Sequence, residues 1–247
     1  MIDEMLINQL PAPTWNRLRM NDTRLADIEL PQDICEPRVS LQGSVCLNKN
    51  KNTGKVTLAV LLPASAIRRS VWPSPSLSIA SPMPVGILAK LLPCTLHKAC
   101  SLQPQQPVFL FLFAAGASVK LVQVQLLGQS YVQLNDVGCE LGDNAAFELL
   151  QLQLGSQRIY NGVRTELIGE AADFNAAIGY YGRQEQTIDM NFIANHYGKK
   201  TTCEMTADGV LQGGAKKIYR GTIDFKNGCG GAVGDEKETV LLLSDDV

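Results

Sequence analysis

The residues of this chain best suited to chemistry are a histidine and two cysteines in its second half. His196 lies in IANHYGKKTTC, seven residues before Cys203, and Cys229 lies in NGCGGAVGDE. Imidazole and thiolate groups bind soft metals and metal–sulfur clusters, so these residues are candidate metal ligands. The alternative interpretation is structural: a polar residue at a strand end, a small buried thiol and a loop cysteine. The residues alone leave both interpretations open.

Other arrangements that could support catalysis are weak. Asp189 and Glu204 are two acids on strand-like segments and could be a glycosidase-like carboxylate pair. Gly228 and Gly230 loosely fit a dinucleotide fingerprint, but no helix pattern follows them. Ser/His/Asp catalysis would have only His196 as a credible base, and no nucleophile elbow accompanies it in the sequence. The sequence therefore predicts no enzyme active site.

The elements that must position these residues are short alternating runs in the second half of the chain. Such runs include VKLVQVQLLG, SYVQLNDVGCELG, AAFELLQLQLG, QTIDMNFIANHYG and KKIYRGTIDFKNG. Alternation of apolar and polar residues is typical of half-buried strands, and helical periods are almost absent. Strands at this spacing predict an all-β protein built as a sandwich, a barrel or a solenoid.

Small residues near the strand ends favour a solenoid over a sandwich. Stacked coils need such residues where the chain turns a tight corner, and two-residue hairpin turns are rare here. The small residues concerned are Ala171, Ala172, Ala176, Ala177, Gly179, Gly213, Gly214, Gly228, Gly230 and Gly231. A parallel β-helix is the fold that this pattern favours.

The chain divides into three segments by composition. Residues 1–36 are polar, and the cluster LPAPTWNRLRMN predicts a short helix that begins at Thr14 as its N-cap. Residues 37–106 are rich in Pro and Ser, and no Asp or Glu occurs from Pro37 through Asn135. This second segment predicts a long linker, or a stretch read in a shifted frame. Residues 107–247 hold the regular strands of a β-helix core.

The composition argues against a nucleic-acid-binding, a membrane-spanning and a secreted protein. The chain has 247 residues and a formal net charge of −2, which argues against electrostatic binding of nucleic acid. Its seven cysteines form no CxxC pair, so reduced thiols are expected. No apolar run reaches the roughly 18 residues of a membrane span, and the acidic N-terminus does not resemble a signal peptide. We therefore expect a cytoplasmic protein.

The strand region resembles the SufB/SufD family of scaffold components in SUF iron–sulfur cluster assembly. The resemblance is carried by DMNFIANHYGKKTTCEMTADGVL, YRGTIDF, the closing LLLSDDV, residues 119–155 and the N-terminal LPAPTWNRLRMN. It implies a right-handed parallel β-helix, which the small, partly helical N-terminal segment predicted from Thr14 would precede. Residues 37–106 do not fit the family pattern.

The resemblance also implies a function and partners. It implies a non-enzymatic scaffold that pairs through its β-helix with a SufB-like subunit and works with the SufC ATPase. The alternative function is that of a carbohydrate-active or carbohydrate-binding parallel β-helix protein. An iron–sulfur cluster would be held transiently by the complex, with none bound stably to this chain. SufB-type members carry a cysteine near the position of Glu238, so the chain looks SufD-like. We further expect the family's SufC-binding helices to lie beyond Val247, which would make the chain a fragment.

Overall fold

The fold is described from a computed structural model that places residues 5–12, 20–25, 45–49, 56–62, 87–94, 103–113, 115–129 and 131–246. These residues contain strands and turns and no helix. The strands are β1 (Met5–Ile7), β2 (Thr23–Leu25), β3 (Val45–Lys49), β4 (Val56–Leu62), β5 (Ile87–Cys94), β6 (Gln103–Phe113), β7 (Ser118–Gln125), β8 (Tyr131–Leu141), β9 (Ala146–Gln153), β10 (Arg158–Leu167), β11 (Asp173–Gly182), β12 (Thr187–His196), β13 (Thr202–Leu211), β14 (Lys216–Phe225) and β15 (Val233–Leu242).

From β6 onward, successive strands alternate between two sheets, which makes this part of the chain a solenoid. One sheet has six strands in the order β14-β12-β10-β8-β6-β5, and the other has seven in the order β15-β13-β11-β9-β7-β4-β3. Pairing is parallel throughout except between β3 and β4 and between β5 and β6. Each coil therefore contributes one strand to each sheet and stacks on the coil before it.

The register shows a coil of nearly constant length. Among the strands from β6 onward, partners in neighbouring coils are 26 residues apart at the closest, Val132 and Arg158, and 31 at the farthest, Thr202 and Val233. The stack makes about four turns. The prediction of an all-β parallel solenoid is thereby confirmed.

One corner of the solenoid repeats the same backbone conformation in the coils from β7 onward. The residue two positions before each of β7, β9, β11, β13 and β15 has a positive φ, at Gly116, Asn144, Ala171, Lys200 and Gly231. In four successive corners its N–H donates to a backbone carbonyl of the next coil, as from Ala171 to Lys199 at 2.9 Å. Only two of these positions are glycine, so the small residues of the sequence mark this corner incompletely.

The side chains that face the interior form one continuous apolar core. Phe147 and Phe174 stack with ring centroids 5.7 Å apart, and Phe192 and Met190 are fully buried beside them. The run VRTELIGEAADFNAAIGYYG, which resembles one strand segment, is divided by a corner into β10 and β11. Because β10 and β11 belong to different sheets, their apolar faces meet across the interior.

An N-terminal hairpin covers the outer face of the six-stranded sheet. Strands β1 and β2 pair antiparallel, and Leu25 packs with Val132, Leu134 and Tyr160 in a second apolar cluster. The helix predicted from Thr14 falls on residues outside the described ranges. Strands β3, β4, β5 and part of β6 fall within 37–106, and the division at residues 36 and 106 stays a prediction.

Candidate functional site

His196 is the last residue of β12, and its side chain is fully buried. Its ring stacks on Phe225 of the next coil with centroids 4.7 Å apart. Its Nδ1 lies 2.6 Å from the Thr201 hydroxyl oxygen, and its Nε2 has no hydrogen-bond partner. The sequence pattern placed His196 at a strand end, and the structure adds that it is enclosed.

The hydrogen bonds around His196 indicate which nitrogen of its neutral ring carries the proton. The Thr201 hydroxyl donates to the Gly198 carbonyl at 3.3 Å, so the imidazole Nδ1–H donates to that hydroxyl. Burial lowers the pKa of His196, which favours a neutral ring. A neutral ring with its proton on Nδ1 presents a lone pair at Nε2, the form in which imidazole binds a metal.

Cys203 is buried near the start of β13, on the interior face. Burial, and next the carboxylates of Asp173 and Glu236, raise the pKa of its thiol to about 12. Cys203 is therefore a thiol at neutral pH and becomes a thiolate ligand only if a bound cation displaces its proton.

Cys229 is half-buried in the loop that joins β14 to β15. A hydrogen bond of 3.0 Å from Lys200 N to the Gly230 carbonyl ties this loop to the corner between β12 and β13. The structure thus brings His196, Cys203 and Cys229 to the same corner in two successive coils. The described part of the chain contains no group of three His, Cys, Asp or Glu placed to hold a metal ion. A metal role for these residues stays a prediction.

The carboxylate pair considered from the sequence does not form. Asp189 lies on the outer face of the six-stranded sheet, where it is buried and ion-paired with Arg220. Glu204 lies on the seven-stranded sheet and alternates with the buried Cys203 and Met205, so it points outward on the other side of the solenoid. Two carboxylates on opposite outer faces cannot flank one glycosidic bond.

The sequence did not reveal a charged group on the interior face of the last coil. Glu236 and Glu238 stand opposite Met205 and Ala207 in the register, and Lys217 forms an ion pair with Glu238. Burial raises the pKa of Glu236, and this effect is larger than the lowering caused by the nearby Tyr219 hydroxyl. No hydrogen bond of normal geometry joins the two side chains. The signal in the sequence was the alternation in VGDEKETVL, which puts Glu236 and Glu238 in phase with Val240. Both acids are exposed, although they share the interior phase of the strand.

The sequence also did not reveal a closed ring of amides inside the first coils. Gln123, Asn135, Asn161 and Gln151 bond to one another, with Asn161 Nδ2 donating to Gln151 Oε1 at 2.6 Å. Phe147 and Leu149 set the phase of β9, which turns Gln151 and Gln153 inward. Leu150 and Leu152, which alternate with those glutamines, therefore point outward, and this inverts the usual polarity of a strand.

One protein family matches the part of the chain that forms the stacked coils. The family described as SUF system FeS cluster assembly, SufBD core domain, matches residues 98–247. The chain belongs to the SufBD core family. The SufBD match spans every strand from β6 to β15, and it includes His196, Cys203 and Cys229. This membership assigns the chain to SUF iron–sulfur cluster assembly.

No curated protein and no solved structure matches this SufBD core chain. Among its described residues there is no helix with the length and apolar character needed to cross a bilayer.

Proposed function

We propose that this chain is a SufD-like, non-enzymatic scaffold subunit of the SUF assembly complex. The observation that carries the proposal is the SufBD core match over a parallel β-solenoid. In this role the chain pairs with a SufB-like subunit and works with the SufC ATPase. Iron and sulfide are the cargo of the complex.

The last coil supports the SufD-like assignment. SufB-type members carry a cysteine near the position of Glu238, and no cysteine follows Cys229 in this sequence. The interior positions of β15 are Gly234, Glu236, Glu238, Val240 and Leu242, by their register with β13. Glu238 is held there by Lys217. A thiolate for the nascent cluster would thus come from the SufB-like partner.

The candidate ligands of this chain fit a transient role. Cys203 keeps its proton, and His196 offers a neutral, enclosed Nε2. Such groups would hold a cluster weakly unless a second subunit supplies thiolates. We therefore propose that a cluster forms at the level of the complex and does not stay on this chain alone.

The experiment is co-purification and reconstitution. The tagged chain is expressed with a SufB-like subunit and SufC, and iron and acid-labile sulfide are measured in the purified complex and in the chain alone. We expect the SufB-like subunit to co-elute and the cluster to appear only in the complex. Failure to co-elute, or a stoichiometric cluster on the isolated chain, would contradict the proposal.

A matched pair of variants tests the SufD-like assignment. Glu238→Cys adds a thiol on the interior face of β15, whereas Thr239→Cys adds one on the outer face of the same strand. We expect Glu238→Cys to raise cluster retention by the complex and Thr239→Cys to leave it unchanged. Equal retention in both variants would remove the support that Glu238 gives.

A further inference from the structure

The sequence contains two Asn-Gly pairs, and the fold places them in opposite surroundings. One pair is Asn161–Gly162 inside β10, and the other is Asn227–Gly228 in the corner between β14 and β15. An asparagine followed by glycine is prone to lose its side-chain amide, because glycine has no side chain to hinder attack by its own backbone nitrogen. The same reaction can therefore be compared at two positions of one molecule.

This loss of the amide is an intramolecular reaction of the main chain. The backbone nitrogen of the glycine gives its proton to solvent and bonds to the asparagine Cγ. The Cγ–Nδ2 bond breaks, and the leaving nitrogen takes up a proton and departs as ammonia. Water then opens the cyclic succinimide at either carbonyl carbon, which gives aspartate or isoaspartate. The reaction needs only water, a free glycine N–H and an asparagine side chain that can turn toward it.

Asn161 lacks that freedom. Its side chain is fully buried in the ring of amides inside the first coils. Its Nδ2 donates to Gln151 Oε1 at 2.6 Å, and its Oδ1 accepts from Asn135 Nδ2 at 2.6 Å. Gly162 lies in a strand that is paired on both sides, with β8 and with β12. Attack on the Asn161 Cγ would first require the ring and the sheet around it to open.

Asn227 and Gly228 are exposed and lie at the centre of a turn. The Cys229 N–H donates to the Lys226 carbonyl at 3.3 Å, which makes Asn227 and Gly228 the central residues of a β-turn. Gly228 has a φ of 97°, a positive value such as the third residue of a type II turn requires. Among the residues that the structure describes, neither the Gly228 N–H nor the Asn227 side chain has a hydrogen-bond partner. Both reacting groups are therefore free and in contact with water.

We propose that Asn227 is a site of spontaneous deamidation in the folded protein, with aspartate and isoaspartate as its products. The attacking nitrogen is that of Gly228, and solvent water is the co-reactant. The proposal does not depend on the SufD-like role.

The corner that holds Asn227 can accommodate either product. Each product adds one negative charge, and isoaspartate also lengthens the main chain by one atom. Seven residues, 226–232, form this corner, whereas five residues, 197–201, join β12 to β13. Because the larger corner can take up the extra atom, we expect the modified chain to stay folded.

The test compares Asn161 and Asn227 in the native and in the unfolded chain. The full chain is incubated at mildly alkaline pH with and without urea, and peptide mass spectrometry follows the conversion of each amide to an acid. In native buffer we expect Asn227 to convert at least tenfold faster than Asn161, whereas in urea both should convert at similar rates. Circular dichroism checks that the native sample stays folded. Equal conversion of both residues in the native chain, or conversion of Asn227 only in urea, would overturn the proposal.

A matched variant checks that one residue accounts for the change in charge. Isoelectric focusing of the native parent chain should show an acidic species that grows with time and forms faster at higher pH, because the Gly228 nitrogen must lose its proton. Asn227→Gln should form this species several-fold more slowly, because its longer side chain must close a larger ring. Asn227→Asp marks the position of a chain with one added negative charge. An acidic species that forms at the parental rate in Asn227→Gln would overturn the proposal.

Discussion

We expect Cys139, Cys203 and Cys229 to differ in reactivity because their surroundings differ. Cys139 and Cys203 are buried on the interior face, and burial is the largest cause that raises the pKa of each to about 12. Cys139 also contacts the Thr165 hydroxyl at 3.2 Å. Cys229 lies half-buried in a loop whose neighbours Gly228 and Gly231 have positive φ. Of these three cysteines, only Cys229 is placed to meet a solvent-borne reagent without an opening of the solenoid.

Thiol labelling tests this difference residue by residue. A rise in pKa from 9.0 to about 12 reduces the thiolate fraction at pH 8 about 1000-fold. We expect iodoacetamide to modify Cys229 within minutes and to spare Cys139 and Cys203 until urea unfolds the chain. Peptide mass spectrometry assigns each site. Modification of Cys203 in the native state at the rate of Cys229 would contradict the interior position of β13.

At the scale of elements, a buried ion pair fastens the N-terminal hairpin to the six-stranded sheet. The Asp189 and Arg220 side chains are each 1% exposed. Arg220 Nη2 donates to the Thr23 hydroxyl at 2.9 Å, and Asn8 Nδ2 donates to Asp189 Oδ1 at 2.7 Å. Strands β1 and β2 are only three residues each, so they depend on these contacts for their position.

Removal of one partner of this pair should release the hairpin. Arg220→Met leaves Asp189 buried without its counter-charge, and we expect it to lower the free energy of unfolding by about 3 to 5 kcal/mol. Urea unfolding measures the loss, and limited proteolysis should cut near residues 20–25 sooner than in the parent chain. Asp189→Leu with Arg220→Met should recover part of the stability, because no unpaired charge then remains. An Arg220→Met chain with parental stability would show that the pair does not hold the hairpin.

The limits of sequence reasoning are clearest for these elements. Alternation located most strands from β7 onward, because Phe147 and Leu149 and their equivalents are local signals. Alternation missed the corner that separates β10 from β11. It also placed the last strand too late, because the alternating run ETVLLLS begins at Glu238 whereas β15 begins at Val233. The Asp189–Arg220 pair joins residues 31 positions apart, and the hairpin contacts span 166 or more. Such contacts depend on coil register, which no local pattern specifies.

At the scale of the whole molecule, the last coil presents two strand edges and an apolar rim. Strands β14 and β15 are the outermost members of their sheets. Phe225, Val233, Leu241, Leu242 and Leu243 are between 49% and 62% exposed there. An edge strand with apolar neighbours is a template for pairing with another chain.

The 247-residue polypeptide should therefore self-associate through this coil. Sedimentation velocity should show dimers or larger species whose fraction rises with concentration. Val233→Lys with Leu243→Lys should shift the distribution toward monomer, because charge on an edge opposes strand pairing. Ile168→Lys, at a residue 50% exposed in a corner away from the edge, is the control and should change nothing. A single monomer with full β-sheet circular dichroism would contradict this prediction.

The ring of four amides inside the first coils helps to select the register in which neighbouring coils pair during folding. Gln123, Gln151, Asn135 and Asn161 bond to one another only when β7 meets β9 and β8 meets β10 in the native register. A slip of one residue turns each amide outward and brings the outward side chains Leu150 and Val122 inside. A slip of two residues keeps the amides inside but separates them, and each unpaired buried amide costs about 1 to 3 kcal/mol. The ring thus discriminates against misaligned coils that a core of leucine alone would accept.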